Sequence, residues 1–399
     1  MRYIFYRLMW WLLVGGGWLG LAPAGQTQQP PLYAYQSAAT YTFGQAIHFS
    51  LQAKSQGIIE QATLFVNAPE LPGAYFVAVE LLPGRDVAIS YDLSLSQLQF
   101  APFTAIAYWW EVVTSAGQMS LPRQTLDYVD DRFQWRQVAY ENFIVHWTGS
   151  DDTIGQAALT ILDLYQPRLE LIIPAGTSPA PIRVFIYPST ADLRSALRLT
   201  GRDWVGAHAR PELGVLLVTA VNPRTAMFDL GQSLPHELSH LLLYRSMGPS
   251  YANLPRWLDE GLATFFEATA DPNYALLLQQ AVNDQQTLPF AQLCATFPTE
   301  AQPAILAYAQ SLSLIRYIQA EFGNRKLSEL IMAYQDGASC DSGVRQALGI
   351  SLATLSGRWL EQQQTVSPAG RFWQVNGLWF LLLVASFLLT AFLLWPTKP

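Results

Sequence analysis

His236-Glu237-Leu238-Ser239-His240, and the Trp257-Leu258-Asp259-Glu260-Gly261-Leu262-Ala263 that follows it, decide how this chain is read. On a helix, residues four apart share a face, so His236 and His240 can direct ring nitrogens at one point. Two imidazoles at that spacing suit Zn2+, at roughly 2.0–2.1 Å each. Glu237 lies about 100° round the helix, where it can overlook the metal's open position as general base on a bound water. A catalytic zinc takes three protein ligands and leaves the fourth position to water. Glu260 is the candidate third. Pro255 suits a helix opening, and Leu258, Leu262, Phe265 and Phe266 give the residues after it an apolar face. Met247-Gly248-Pro249-Ser250 reads as a turn, so the second helix can fold back and present Glu260 to the histidines.

The two stretches, residues 234–243 and 255–267, resemble the gluzincin metallopeptidases of the peptidase MA group, above all the aminopeptidase N-like and thermolysin-like branches. The resemblance implies a zincin-like α+β domain with zinc on His236, His240 and Glu260. It also matches Glu267 to a later Glu of the pattern, and puts Asp259 where Asn is usual. Thr264, one turn after Glu260, matches a residue that orients a zinc-binding His. In such enzymes a downstream Tyr or His stabilises the oxyanion. Tyr308, in Ala-Tyr-Ala-Gln-Ser, is the first choice, with Tyr244, Tyr251 and Tyr317 as alternatives. An edge strand before the zinc helix aligns peptide substrates, an expectation carried onto Gly214–Ala220, with His208 and Arg210 nearby. Two features depart from the aminopeptidase N-like branch. The spacing from His240 to Glu260 is one residue longer, and no Gly-rich exopeptidase motif is present, so exopeptidase activity is not carried over. The likeness is tight over about 233–270 and loose from about 140 to 360.

The remaining sequence frames this centre. The 399 residues are 51% hydrophobic, enough for two or three domains with ample core. The formal charge of −7 gives no basic surface for nucleic acid. Charged residues make up 13%, about half the usual share. Residues 1–24 read as a secretory signal: Arg2 and Arg7, an apolar run from Leu8 to Leu21, then Ala22-Pro23-Ala24 as a cleavage site, with an uncleaved anchor as the alternative. Residues 25–31 read as a linker. At the other end, Val375 to Trp395 is uncharged and long enough for a bilayer of about 30 Å, with Trp373, Trp379 and Trp395 near its ends. The expectation is a single transmembrane helix over 375–395, the main domains outside the cytoplasm and the lipid bilayer as a partner.

Residues 32–130 show short alternating runs (Tyr41–Ala53, Ala62–Asn67, Tyr75–Leu81, Val87–Leu93, Ala105–Thr114) punctuated by Ser-Gln-Gly, Pro-Gly and Ser-Ala-Gly. This spacing predicts an antiparallel Ig-like β-sandwich, with Trp109 and Trp110 in packing roles. Over 140–365 the pattern changes. Strands at Asn142–Trp147, Ile182–Tyr187 and Gly214–Thr219 alternate with helices at Asp152–Ile173 and Ala191–Thr200, before an all-helical remainder. The zinc helix starts either at Asn222-Pro223, with a kink at Pro235, or afresh at Ser233. Cys294 and Cys340 suit a disulfide in an oxidising compartment.

The expected function is a membrane-anchored, extracytoplasmic zinc metallopeptidase acting on a peptide or protein substrate. Two other readings stand beside it: a surface adhesion or binding protein with a scaffold zincin domain, and a zinc hydrolase of a non-peptide amide or ester. The sequence leaves the oligomeric state open.

Overall fold

In the computed structural model the described residues are 32–96, 98–176, 180–198, 206–365, 376–377 and 379–386. The signal sequence and linker expected over 1–31 lie outside them. The N-terminal part is built on seven strands: β1 (Leu32–Thr42), β2 (Ala46–Asn67), β3 (Tyr75–Val79), β4 (Gly84–Ser94), β5 (Thr104–Thr114), β6 (Gly117–Ser120) and β7 (Gln124–Tyr128). All pairings among them are antiparallel. In place of the two sheets of an Ig-like sandwich, the seven strands form one hydrogen-bonded sheet. The reason is β2, which runs for 22 residues. Its first half lies between β1 and β4, and its second half between β3 and β5, with register shifts between Lys54 and Ile59. Gly57, in the Ser-Gln-Gly read as a break, lies within this strand. A side chain there would meet the Ser115 hydroxyl at 2.7 Å and the Ala116 nitrogen at 3.2 Å. The glycine therefore serves a close approach rather than a turn.

The second part opens with β8 (Arg136–Tyr140), β9 (Phe143–Trp147), α1 (Thr153–Glu170), β10 (Ile182–Tyr187), α2 (Thr190–Leu197), β11 (Ala207–Arg210) and β12 (Val215–Thr219). These strands make a five-stranded sheet in the order β11-β12-β10-β9-β8. β10 is parallel to both neighbours, and β11 and β8 close the two edges antiparallel. The inner strands β10 and β12 are buried on both faces and accordingly read as apolar runs, whereas β8 at one edge is largely exposed. Val184, Ile186, Leu216 and Val218 pack with the helices. Phe185, Tyr187, Val215 and Leu217 pack on the N-terminal sheet. At that junction Asp130, fully buried, takes Arg132 on both oxygens at 2.8 and 2.7 Å, and the Tyr187 hydroxyl at 3.0 Å.

Helices follow: α3 (Ala226–Met247), α4 (Arg256–Phe266), α5 (Pro272–Asn283), α6 (Ala301–Phe322), α7 (Asn324–Gln335), α8 (Cys340–Leu348) and α9 (Leu352–Thr365). Cys294 and Cys340 are joined by a disulfide. The transmembrane helix is corrected: among the described residues no helix is long and apolar enough to cross a membrane. Val375, Leu378 and 387–395 of the expected span lie outside the described residues.

Candidate metal centre

α3 starts at Ala226, close to the earlier of the two expected positions, and continues through Pro235. Proline has no N–H, so it leaves the carbonyl four residues back without its helical partner. That carbonyl belongs to Gly231, and the Ala268 N–H takes it at 3.0 Å. The break in the ladder thus ties the chain leaving α4 to the middle of α3. At the other end, a 3-10 segment (Gly248–Asn253) turns the chain back into α4. α4 is buried along most of its length, and Gly261 lets it approach α6 closely, near Ser311 and Ile315.

Between these two fixed points the expected side chains converge. The His236 and His240 rings lie 5.0 Å apart, steeply inclined to each other. Glu260 Oε2 is 3.4 Å from His236 Nε2 and 3.7 Å from His240 Nε2. One ligand atom from each of His236, His240 and Glu260 falls within 4.8 Å of the others. Glu260 is 2% exposed, and its Oε2 is buried without a hydrogen-bond partner. An orphaned carboxylate oxygen facing two imidazole nitrogens is costly on its own. It becomes a favourable arrangement around a cation, and the donor set of two imidazoles and one carboxylate suits zinc.

The outer nitrogens are fixed by carboxylates. His236 Nδ1 lies 2.9 Å from Glu267 Oε1, and His240 Nδ1 lies 2.8 Å from Asp259 Oδ1. Such partners set the tautomer with Nδ1 as donor and leave Nε2 for a metal. The orienting role expected of Thr264 therefore falls to Glu267 and Asp259. The Thr264 hydroxyl instead donates to the Glu260 backbone carbonyl at 2.8 Å. Asp259 also accepts from the Tyr251 hydroxyl at 3.1 Å on each oxygen, and from Arg256 Nη1 at 2.9 Å. Arg256 Nη2 contacts Glu260 Oε1.

The electrostatics follow this wiring. Burial pushes the histidines towards neutrality, but neighbouring carboxylates outweigh it. Glu260 and Glu267 hold His236 well above its ordinary value, and Asp259 with Glu260 raises His240. Burial works upward on Glu260 as well, yet His240, His236 and Arg256 keep it at about 2. Glu237 goes the other way. Burial raises it above the ordinary carboxylate range, against the pull of the two histidines and a hydrogen bond from the Ala209 backbone.

That last contact places β11 beside the base and corrects the strand expectation. Residues Val215–Thr219 of the proposed edge are β12, which is enclosed by β10 and β11; the edge is β11. Of the candidate oxyanion tyrosines, Tyr308 is near enough to Glu260 and Glu237 to feel both charges. It is shifted up by burial and by the charge of Glu260, with Arg256 and Glu237 also acting on it, and its ring packs edge-on against Phe297. Tyr251 is committed to Asp259 and Tyr244 packs against Tyr251. Tyr317 lies against Phe322, with Glu321 and Arg358 as its charged neighbours.

Two residues at the centre were missed in the sequence. Arg256 carried a signal, since it stands three and four positions before Asp259 and Glu260, the helical ion-pair spacing. Tyr274, on α5, feels Glu267 and Glu260, and nothing local in the sequence marks it.

The sequence profile of the Peptidase MA superfamily matches residues 170–365, which contain every residue of the centre. Over that stretch, just under half of its length, the chain is similar to the Peptidase MA superfamily. The match supports a domain of the metallopeptidase type, and His236, His240 and Glu260 form a group that could hold a metal. Solved structures similar to this chain include the following three. A crystal structure of an M1 zinc metallopeptidase from Deinococcus radiodurans is 13% identical, covering 83% of this chain and 92% of that one, with a TM-score of 0.32. An aminopeptidase N family protein from Idiomarina loihiensis is 10% identical, covering 82% and 76%, with a TM-score of 0.36. Native yeast LTA4 hydrolase is 9% identical, covering 83% and 64%, with a TM-score of 0.36. The likeness to the superfamily rests on the profile match and the side chains, not on these distant superpositions. No curated protein matches the chain.

Proposed function

We propose that this Peptidase MA domain is a zinc-dependent peptidase that hydrolyses peptide bonds of a peptide or protein substrate. One observation carries the reading: His236 Nε2, His240 Nε2 and the orphaned Glu260 Oε2 face one another beside a buried Glu237. His236, His240 and Glu260 would hold the zinc, which when bound supplies Lewis acidity and lowers the pKa of its water towards about 7. The remaining work falls to the chain. Glu237, raised by burial, takes the proton from the attacking water and returns it to the nitrogen of the leaving amine. The Tyr308 hydroxyl donates to the oxygen that gains negative charge as the carbonyl becomes tetrahedral. The outer edge of β11, beside Glu237 through the Ala209 amide, would present backbone to a substrate that adds as a strand. The Cys294–Cys340 disulfide supports a location outside the reducing cytoplasm.

The test is cleavage of a mixed peptide library by the purified chain. Cleavage should stop with a zinc chelator, return with zinc, and vanish in Glu237→Gln while zinc stays bound. Cleavage that survives both the chelator and Glu237→Gln would refute the assignment.

A further inference from the structure

Arg256 lies outside the three candidate ligands and the base, yet one guanidinium touches two carboxylates of the centre. Nη1 donates to Asp259 Oδ2 at 2.9 Å, and Nη2 contacts Glu260 Oε1. Both acids are buried, with side chains 4% and 3% exposed, whereas that of Arg256 is 44% exposed. The two acids serve different ligands. Asp259 fixes the ring of His240 through Nδ1. Glu260 offers its other oxygen, Oε2, to the point shared by both Nε2 atoms. Tyr251 is the further donor on Asp259.

From this wiring we infer that Arg256 is a positioning residue that makes Glu260 a one-oxygen ligand and locks its orientation to that of His240. The inference rests on the zinc peptidase reading. With Oε1 engaged by the guanidinium, a single carboxylate oxygen remains for the metal. The planar fork, with two N–H groups at fixed separation, sets the distance between the Asp259 and Glu260 carboxylates. Adjacent buried anions would otherwise repel each other, and either could rotate. A lysine at the same place would supply the charge as a point without the fork. Charge and geometry are therefore separable by substitution.

The experiment compares the full-length wild-type chain, Arg256→Gln, Arg256→Lys and the double variant Arg256→Gln/Asp259→Asn. Zinc affinity is measured by competition with a chromophoric chelator, and coordination by the visible d–d spectrum of the cobalt(II) form. Circular dichroism and thermal melting of the metal-free proteins verify folding. Loss of an orienting partner weakens metal binding by about 10–100-fold, so Arg256→Gln should bind zinc weaker by that factor. Its cobalt bands should lose intensity as the freed Oε1 joins the metal and coordination rises from four to five. Arg256→Lys should show the same spectral change. The double variant, with one anion fewer to hold, should recover part of the affinity. Wild-type spectra and affinity in Arg256→Gln would overturn the inference, as would wild-type behaviour in Arg256→Lys, which would reduce the contact to charge alone. If a variant fails to fold, the Lys form decides, since it keeps the cation at a half-exposed site. A wild-type chain that binds neither metal would instead defeat the peptidase reading on which the inference depends.

Discussion

Replacing Gly261 by alanine tests how tightly the centre depends on the packing of α4 against α6. A Cβ at this position would stand 2.8 Å from Ile315 Cγ1, 3.0 Å from the Ser311 carbonyl oxygen and 3.1 Å from its carbon. Ile315 is fully buried and β-branched, so its side chain has little room to turn. Ser311 contributes backbone from within α6, which cannot yield locally. The helix carrying Glu260 must therefore move by some tenths of an ångström. Overpacking of this kind costs about 1–3 kcal/mol, while alanine gains about 1 kcal/mol over glycine in a helix interior. With fixed backbone and a buried β-branched side chain in the way, the cost lies in the upper part of that range, about 2–3 kcal/mol. The clash therefore wins by roughly 1–2 kcal/mol, a fall in melting temperature of about 2–8 °C for a domain of this size. Because Glu260 is the neighbouring residue, zinc affinity should fall as well. Thermal unfolding and chelator competition read both effects. A variant as stable as the parent, with unchanged zinc affinity, would show that the close approach is slack and refute the reasoning.

Other consequences are independent of that contact. Tyr308→Phe should lower kcat by about 100- to 1,000-fold with little change in KM, the loss expected for one oxyanion donor; an unchanged kcat in steady-state kinetics would move the role elsewhere. Replacing Cys294 and Cys340 by serine opens a loop of 46 residues and should cost about 4 kcal/mol in urea unfolding; a cost near zero would contradict the chain-entropy account. Asp130→Ala removes the buried partner of Arg132 and Tyr187 and should cost about 3 kcal/mol, again read by urea unfolding, with parent-like stability as the contrary result. The metal-free centre should also respond to pH. His236 and His240 are raised in the folded chain. Their contribution to stability is therefore full below about pH 6.5, the unfolded value, and is lost as pH rises through the folded values. For the same reason zinc uptake near pH 7 should release about one proton or more. Titration calorimetry in buffers of different ionisation enthalpy measures this, and heats that do not depend on the buffer would contradict it.

The centre was legible because its logic is local. Four-residue spacing puts His236 and His240 on one face whatever the rest of the chain does. The turn at Gly248-Pro249 is likewise written in the residues that make it. Arg256 was equally open to view by its spacing from Asp259 and Glu260, but an exposed ion pair is the ordinary meaning of that pattern. What failed to read through was set by distant partners. The strand over Val215–Thr219 looks the same in the middle of a sheet or at its edge, and only its pairing with β11 and β10 decides. Gly57 has the composition of a turn, and its true reason, the approach of Ser115 and Ala116, lies more than fifty residues away. Thr264 had the right periodicity for a histidine partner, yet its hydroxyl finds the Glu260 carbonyl one turn back, a competition common for threonine within helices. The apolar C-terminal stretch has the composition of a membrane span, yet no helix long and apolar enough to cross a membrane is found among the described residues.

The most direct measurement is X-ray absorption at the zinc edge on the purified full-length chain, with His240→Ala alongside. The account predicts one tightly held zinc per chain, with two imidazole nitrogens at about 2.0–2.1 Å and oxygen ligands at about 2.0–2.2 Å, and loss of one imidazole contribution in the variant. A chain that retains no zinc, or a zinc spectrum without two imidazoles, would contradict it.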